Sequence, residues 1–162
     1  VGQGTRVLVF ARAPVAGRCK SRLIPALGAE GAAELHARLV TRTVATAVEA
    51  HPGGVELWCE PDVDHPFFAG LARRFGVELE RQRGEGLGER MSSALRAALE
   101  CTEGAVLIGS DCADLTGADL HAALAALGGG ADAVLGPVLD GGYWLVGLRR
   151  WAASPFEDIS WG

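Results

Sequence analysis

Four short segments carry side chains suited to phosphate chemistry. The first is ARAPVAGRCKSRLIP, in which Ala11 and Arg12 lead into a loop holding Gly17, Arg18, Lys20, Ser21 and Arg22. Four cations among two prolines and a glycine make an anion cradle, since charge-assisted hydrogen bonds contribute about 1.5–3 kcal/mol each. The second is GSDCAD, where Asp111 and Asp114 follow an apolar run. Hard carboxylate oxygens on a loop suit Mg²⁺ or Mn²⁺, which binds through one or two carboxylates together with substrate phosphates. Asp111 is expected to be a metal ligand, while Asp114 reads equally well as a turn or capping residue.

The third segment is Asp140-Gly141-Gly142-Tyr143. Asp-Gly is a hairpin signal. Asp140 can also be a second carboxylate facing the metal, with Gly141 and Gly142 letting backbone approach a ligand. The fourth is GEGLGER, residues 84–90, a glycine-rich turn entering a helix. Its free N–H groups suit an anion or a base. Gly88, Glu89 and Arg90 are candidates there, Glu89 for a nucleobase or sugar hydroxyl and Arg90 for a phosphate. The plain alternative is a flexible turn with an acidic helix start.

Several other sites are excluded. Lys20 is preceded by Cys19 rather than glycine, so the first loop is not a Walker A loop, and no G-x-G-x-x-G occurs. No G-x-S-x-G marks a nucleophile elbow. His36, His51, His65 and His121 have no metal-ligand spacing. His36 and His121 are expected on helix surfaces. Cys19, Cys59, Cys101 and Cys112 contain no C-x-x-C pair. Cys59 and Cys101 are expected to act as small buried hydrophobes. The tryptophans read as core or edge residues, with Trp144 notable for its place after Asp140.

The elements that must position these segments alternate. Apolar runs predict strands over Arg6–Ala11, Val55–Cys59, Val77–Leu79, Ala105–Ile108, Ala133–Leu135 and Tyr143–Leu148. Helical periodicity predicts a helix over Glu30–Ala50 through Leu35, Leu39, Val40 and Val44. Others start near Asp64-His65-Pro66, after Gly88, and at the capping box Thr116-x-x-Asp119. Such alternation implies an α/β domain of three layers (αβα) with a largely parallel sheet. Only Gly136–Gly142 separates the last two strands. A parallel crossover needs a dozen or more residues, so one of the two is expected to run antiparallel.

The chain has 162 residues, which suits one domain, and 49% of them are apolar. The net charge of −5 argues against a nucleic-acid partner. No apolar run approaches a membrane span, and with reduced thiols and no signal peptide a cytoplasmic location is expected. The chain opens on Val1 and stops at Trp161-Gly162. Further residues are expected beyond both ends.

Taken in order, VFARAPVAGRCKSRL, GEGLGERM, LIGSDCADL and VLGPVLDGGYWLVGL resemble the transferases associated with radical-SAM and selenium-domain proteins, some of them arsenosugar-biosynthesis glycosyltransferases. The resemblance implies a nucleotide-diphospho-sugar transferase fold (GT-A, Rossmann-like) with a seven-stranded mixed sheet. It implies a nucleotide cradled by Gly17–Arg22, a Mg²⁺ or Mn²⁺ near Asp111 with Asp140 close by, and catalytic roles for Lys20, Asp111 and Asp140. Two positions depart from the family pattern: Ala113 stands where proline is usual, and Asp111 and Asp114 do not form a literal Asp-x-Asp. The expected reaction is glycosyl transfer from a nucleotide sugar to a small-molecule acceptor. The alternatives are guanylyl or cytidylyl transfer with release of pyrophosphate, and non-catalytic nucleotide binding. Asp140 and Glu89 are the candidates for a general base.

Overall fold

In the computed structural model, residues 3–139 and 141–151 are described. The elements run β1 (Gln3–Arg12), a 3₁₀ turn (Ser21–Leu23), α1 (Ile24–Ala50), β2 (Val55–Glu60), α2 (Pro66–Phe75), β3 (Glu78–Arg81), α3 (Leu87–Leu99), β4 (Thr102–Gly109), α4 (Gly117–Gly128), β5 (Ala133–Pro137) and β6 (Tyr143–Leu148). The strands form one sheet in the order β3-β2-β1-β4-β6-β5. β1 pairs in parallel with β2 and β4, and β2 with β3. β6 is antiparallel to both β4 and β5. The short link before β6 therefore has the consequence its length predicts. The described residues supply six strands rather than the seven expected.

Strand periodicity sorts the core into two faces. On β1, Val7, Val9 and Ala11 join Leu57, Val106 and Ile108 beneath α1, α2 and α4. Leu8 and Phe10 point the other way and pack with Trp58, Leu107 and Val146 against Met91, Ala94 and Leu95 of α3. This is the three-layer arrangement the alternation of elements requires.

Helix starts follow local chemistry. Thr116 and Asp119 form the expected reciprocal capping box on α4. Two hydrogen bonds from Thr116 lower the Asp119 carboxyl below its ordinary 3.8. The stability from this depressed group is present above the unfolded-state value and is lost as pH falls through the folded one. Asp119→Asn is expected to weaken the protein near neutrality and to leave it unchanged in strong acid, as read by urea unfolding at both conditions.

α2 is capped by His65, whose Nδ1 accepts from Phe67 N at 3.2 Å, with Pro66 in the first turn. α1 begins at Ile24, earlier than its periodicity suggested, because non-helical backbone at Gly28 separates a first turn from the long apolar face. Cys59 is buried, but Cys101 is exposed, contrary to expectation. It follows α3 in a turn rather than lying within β4. No helix of the described residues is long and apolar enough to cross a membrane.

Candidate functional site

Register brings the chemistry together. Arg12 pairs with Glu60 across β1 and β2, and Phe10 pairs with Gly109 across β1 and β4. The loops leaving β1, β2, β3 and β4 thus emerge at one carboxyl edge of the sheet, where ligands bind in open α/β folds. Lys20 Nζ lies 2.8 Å from Asp111 Oδ1. Two segments 91 residues apart in sequence therefore meet as a cation and a carboxylate.

Lys20 is the one non-glycine residue with positive φ among the described residues, at φ 50° and ψ 40°. Left-handed backbone costs a non-glycine residue on the order of 1–3 kcal/mol. The Lys20 side chain is 19% exposed and that of Asp111 is 68% exposed. An ion pair this open contributes about 0–1 kcal/mol, too little to account for the strain as a stability device. The strained backbone instead turns the ammonium into the cavity.

That cavity, of about 440 Å³, is lined by Ala11, Arg12, Lys20, Arg90 and Asp111 from the sequence-derived set, and by His36, Glu60 and Gln82. Glu60 accepts from Arg12 Nε and lies 3.6 Å from Arg90 Nη1, so one carboxylate holds two guanidiniums at the rim. Arg12 Nη1 also donates to the Arg18 carbonyl at 3.3 Å. Gln82 Nε2 donates to the carbonyls of Trp58 at 2.8 Å and Ala11 at 3.4 Å. Its amide nitrogen is engaged with backbone, which leaves the side-chain oxygen as the end available to a ligand. Cys19 also lies in the wall, and its thiol is raised because burial outweighs the nearby Arg12 and Lys20 charges. It is thus held as a thiol, not a thiolate nucleophile.

A second cavity, of about 360 Å³, shares Phe10, Leu87, Gly109 and Asp111 with the first and continues over Met91, Tyr143, Trp144 and Val146. Its wall is almost wholly apolar. Burial raises the Tyr143 phenol. Trp144 reaches this wall because Gly136 lies beneath its ring: a Cβ there would stand 2.6 Å from the indole. Asp111 is the charged residue at the junction of the two cavities.

The remaining candidates lie elsewhere. Gly17, Arg18 and Arg22 are exposed on the loop and form no part of either wall. Gly88 is buried in the first turn of α3. Glu89 Oε2 accepts from Glu85 N at 3.0 Å and closes the glycine-rich turn. Gly141 and Gly142 belong to the β5–β6 connection, where the Val138 and Gly142 backbones hydrogen-bond. Asp114 is exposed in the turn before α4. Asp140 lies outside the described residues.

Sequence reasoning missed Glu60, Gln82 and His36. His36 is buried, contrary to the helix-surface reading. The buried stripe of α1 runs Ala33, His36, Val40, Val44 and Ala47. The spacing of four from Val40 back to His36, and of three from His36 to Ala33, was the available signal.

The shape of the turn depends on Gly84. Its φ is +134°, and a Cβ there would lie 2.8 Å from Glu89 Cβ and 2.9 Å from Arg90 N. Gly84→Ala is expected to displace the first turn of α3 and with it Arg90, weakening nucleoside diphosphate binding measured by calorimetry. Gly86→Ala, with open space around its Cβ, is the control that keeps binding.

Among the described residues no three His, Cys, Asp or Glu side chains converge as a ready-made metal cage. An accessible carboxylate at Asp111 still fits a divalent ion of the type that relies on substrate oxygens for the rest of its ligands.

Residues 43–162 match a family described as an uncharacterized protein conserved in bacteria, DUF2064. The chain belongs to the DUF2064 family. No curated protein matches it in sequence. Among solved structures it is similar to a "putative nucleotide-diphospho-sugar transferase" from Desulfovibrio desulfuricans G20. That match has a TM-score of 0.82 and 30% identity, and covers 98% of this chain and 69% of the other. The DUF2064 chain also shares its fold with a cytidylyltransferase from Leptospira borgpetersenii serovar Hardjo-bovis, at TM-score 0.59 and 12% identity, covering 96% and 63% of the two chains. A third relative in fold is Rv0371c from Mycobacterium tuberculosis H37Rv, solved with manganese, at TM-score 0.52 and 19% identity, covering 97% and 77%. The fold is that of the nucleotide-diphospho-sugar transferases, with a mixed, mostly parallel sheet.

Proposed function

We propose that this chain is a transferase acting on a nucleotide-activated substrate, and that it moves a glycosyl group from a nucleotide-diphospho-sugar to a small acceptor. The observation that carries this reading is the contact of Lys20 with Asp111 at the carboxyl edge of the sheet. The 30% identity with the Desulfovibrio protein, across nearly all of this chain, supports it. The finer resemblance, to arsenosugar-type glycosyltransferases, is one acceptor class to try first.

In this reading the diphosphate lies in the cation-lined cavity. Lys20 faces the phosphate oxygens that gain charge as the glycosyl bond breaks, and Arg90 and Arg12, both held at the rim by Glu60, bind the remainder. A preorganised donor in such a place acts most strongly in the transition state. Asp111, with or without Asp140, would hold Mg²⁺ or Mn²⁺, consistent with the manganese in the Mycobacterium relative. When bound, such an ion neutralises leaving-group charge as a Lewis acid. The apolar cavity beyond Asp111 excludes water from the side on which the acceptor approaches.

The second reading is nucleotidyl transfer, favoured by the fold shared with the Leptospira cytidylyltransferase. Product analysis separates the two. With nucleotide sugars and Mn²⁺, release of nucleoside diphosphate without pyrophosphate supports glycosyl transfer. Pyrophosphate release from a nucleoside triphosphate and a sugar phosphate replaces it with the second reading. Tight nucleotide binding with neither product rejects both in favour of a binding protein.

A further inference from the structure

The cation-lined cavity holds an electron-pair donor that the reading above leaves unused. His36 lies in the buried stripe of α1 and is 5% exposed. Its Nε2 stands 2.9 Å from the Arg12 carbonyl oxygen. A carbonyl only accepts, so this nitrogen carries the hydrogen, and in the neutral ring Nδ1 is then a lone pair. Nδ1 is buried without a hydrogen-bond partner. It faces Asp111 Oδ1 at 3.9 Å, beyond hydrogen-bond length.

With the ring neutral, two lone-pair atoms border one gap and cannot bond each other. The Lys20 ammonium engages Asp111 Oδ1 from its own side and leaves Nδ1 unpartnered. A buried acceptor left in this way calls for a missing water, ion or ligand. The bond from Nε2 to a backbone carbonyl bears on which. Metal-ligating histidines almost always donate their other ring N–H to a carbonyl or carboxylate, which fixes tautomer and ring orientation.

We propose that His36 Nδ1 joins the Asp111 carboxylate in the divalent-cation site, a mixed nitrogen and oxygen pair that selects Mn²⁺ over Mg²⁺. Imidazole suits transition metals, whereas Mg²⁺ takes oxygen ligands and keeps its waters. The inference rests on the reading of Asp111 as a metal ligand, and its test separates the two claims.

The probe is Mn²⁺ with inorganic pyrophosphate, which contains no nitrogen. Electron spin-echo modulation of the wild-type complex is expected to show a directly bound ¹⁴N, and ¹⁵N-histidine labelling is expected to change its frequency. His36→Gln can keep a donor to the Arg12 carbonyl but has nothing in place of Nδ1. It should lose the modulation and bind Mn²⁺ about tenfold or more weakly, with Mg²⁺ affinity nearly unchanged. A wild-type complex without nitrogen modulation overturns the inference whether or not the variant folds. Equal loss of Mn²⁺ and Mg²⁺ in His36→Gln, or no loss of either, overturns it as well. Should Asp111→Asn abolish Mn²⁺ binding while His36→Gln leaves it as tight as in the wild type, only the His36 inference fails. Wild-type protein that binds no Mn²⁺, or Asp111→Asn that binds it normally, ends the reading of Asp111 too.

Discussion

Lys20→Ala is expected to lower turnover by about 10²- to 10³-fold while leaving the fold intact, an effect on the order of 2.7–4 kcal/mol for one preorganised charge-stabilising donor. The Lys20 side chain is four-fifths shielded and its partner Asp111 is mostly solvated. It therefore acts on what enters the cavity far more than on stability. The backbone at Lys20 sharpens the test. Glycine accepts φ 50° without strain, so Lys20→Gly should be at least as stable as the parent protein in a urea melt and yet equally inactive. Steady-state kinetics on both variants, beside the melts, checks this. Activity retained in either variant would show that the strained ammonium is not what the phosphates meet.

The largest effect on stability is expected at Phe68. Its side chain is fully buried where α2 packs on the sheet, among the residues that include Leu57, Leu71 and Val77. Phe68→Ala should cost about 3–5 kcal/mol, from lost transfer free energy and the cavity left behind. Against a total of roughly 5–15 kcal/mol, that is a large part of the molecule's stability. Phe68 lines neither cavity at the carboxyl edge. The variant should then show an unchanged KM at low temperature, where it is folded, together with a much lower denaturation midpoint. A loss below about 1 kcal/mol would mean that α2 closes over the gap.

These two residues illustrate what the sequence allows to be read. The apolar runs of β1 and β4 are buried on both faces, so they declare themselves as central strands without knowledge of their neighbours. Once both are strands of a parallel sheet, the loops after them share an edge, and the meeting of Lys20 with Asp111 follows. That β5 and β6 run antiparallel to each other was legible from the shortness of their link, but which of them opposes the rest of the sheet was not. Glu60 and Gln82 were not legible. They are polar residues at strand ends, and their meaning arises only from the sheet order, which sets Glu60 beside Arg12 and brings Gln82 under the Trp58 carbonyl. His36 was hidden by its polarity. Val40 and Val44 mark the buried stripe of α1, but a histidine one turn before them reads as solvent-facing beside the apolar Leu35 and Leu39. Cys101 is exposed although it lies close to an apolar run, because the chain turns there before β4 begins to bury its side chains.

The measurement that bears most directly on the central claim is a double-mutant cycle on nucleotide affinity. Calorimetric titration of nucleoside diphosphates, with and without Mn²⁺, is made on the parent protein, Lys20→Ala, Asp111→Asn and the double variant. Groups that share one bound diphosphate are coupled, so their losses should not add. The account predicts binding that Mn²⁺ strengthens in the parent protein, a loss of about tenfold or more in each single variant, and a double variant little worse than either. Affinity that neither substitution alters, with or without Mn²⁺, would contradict it.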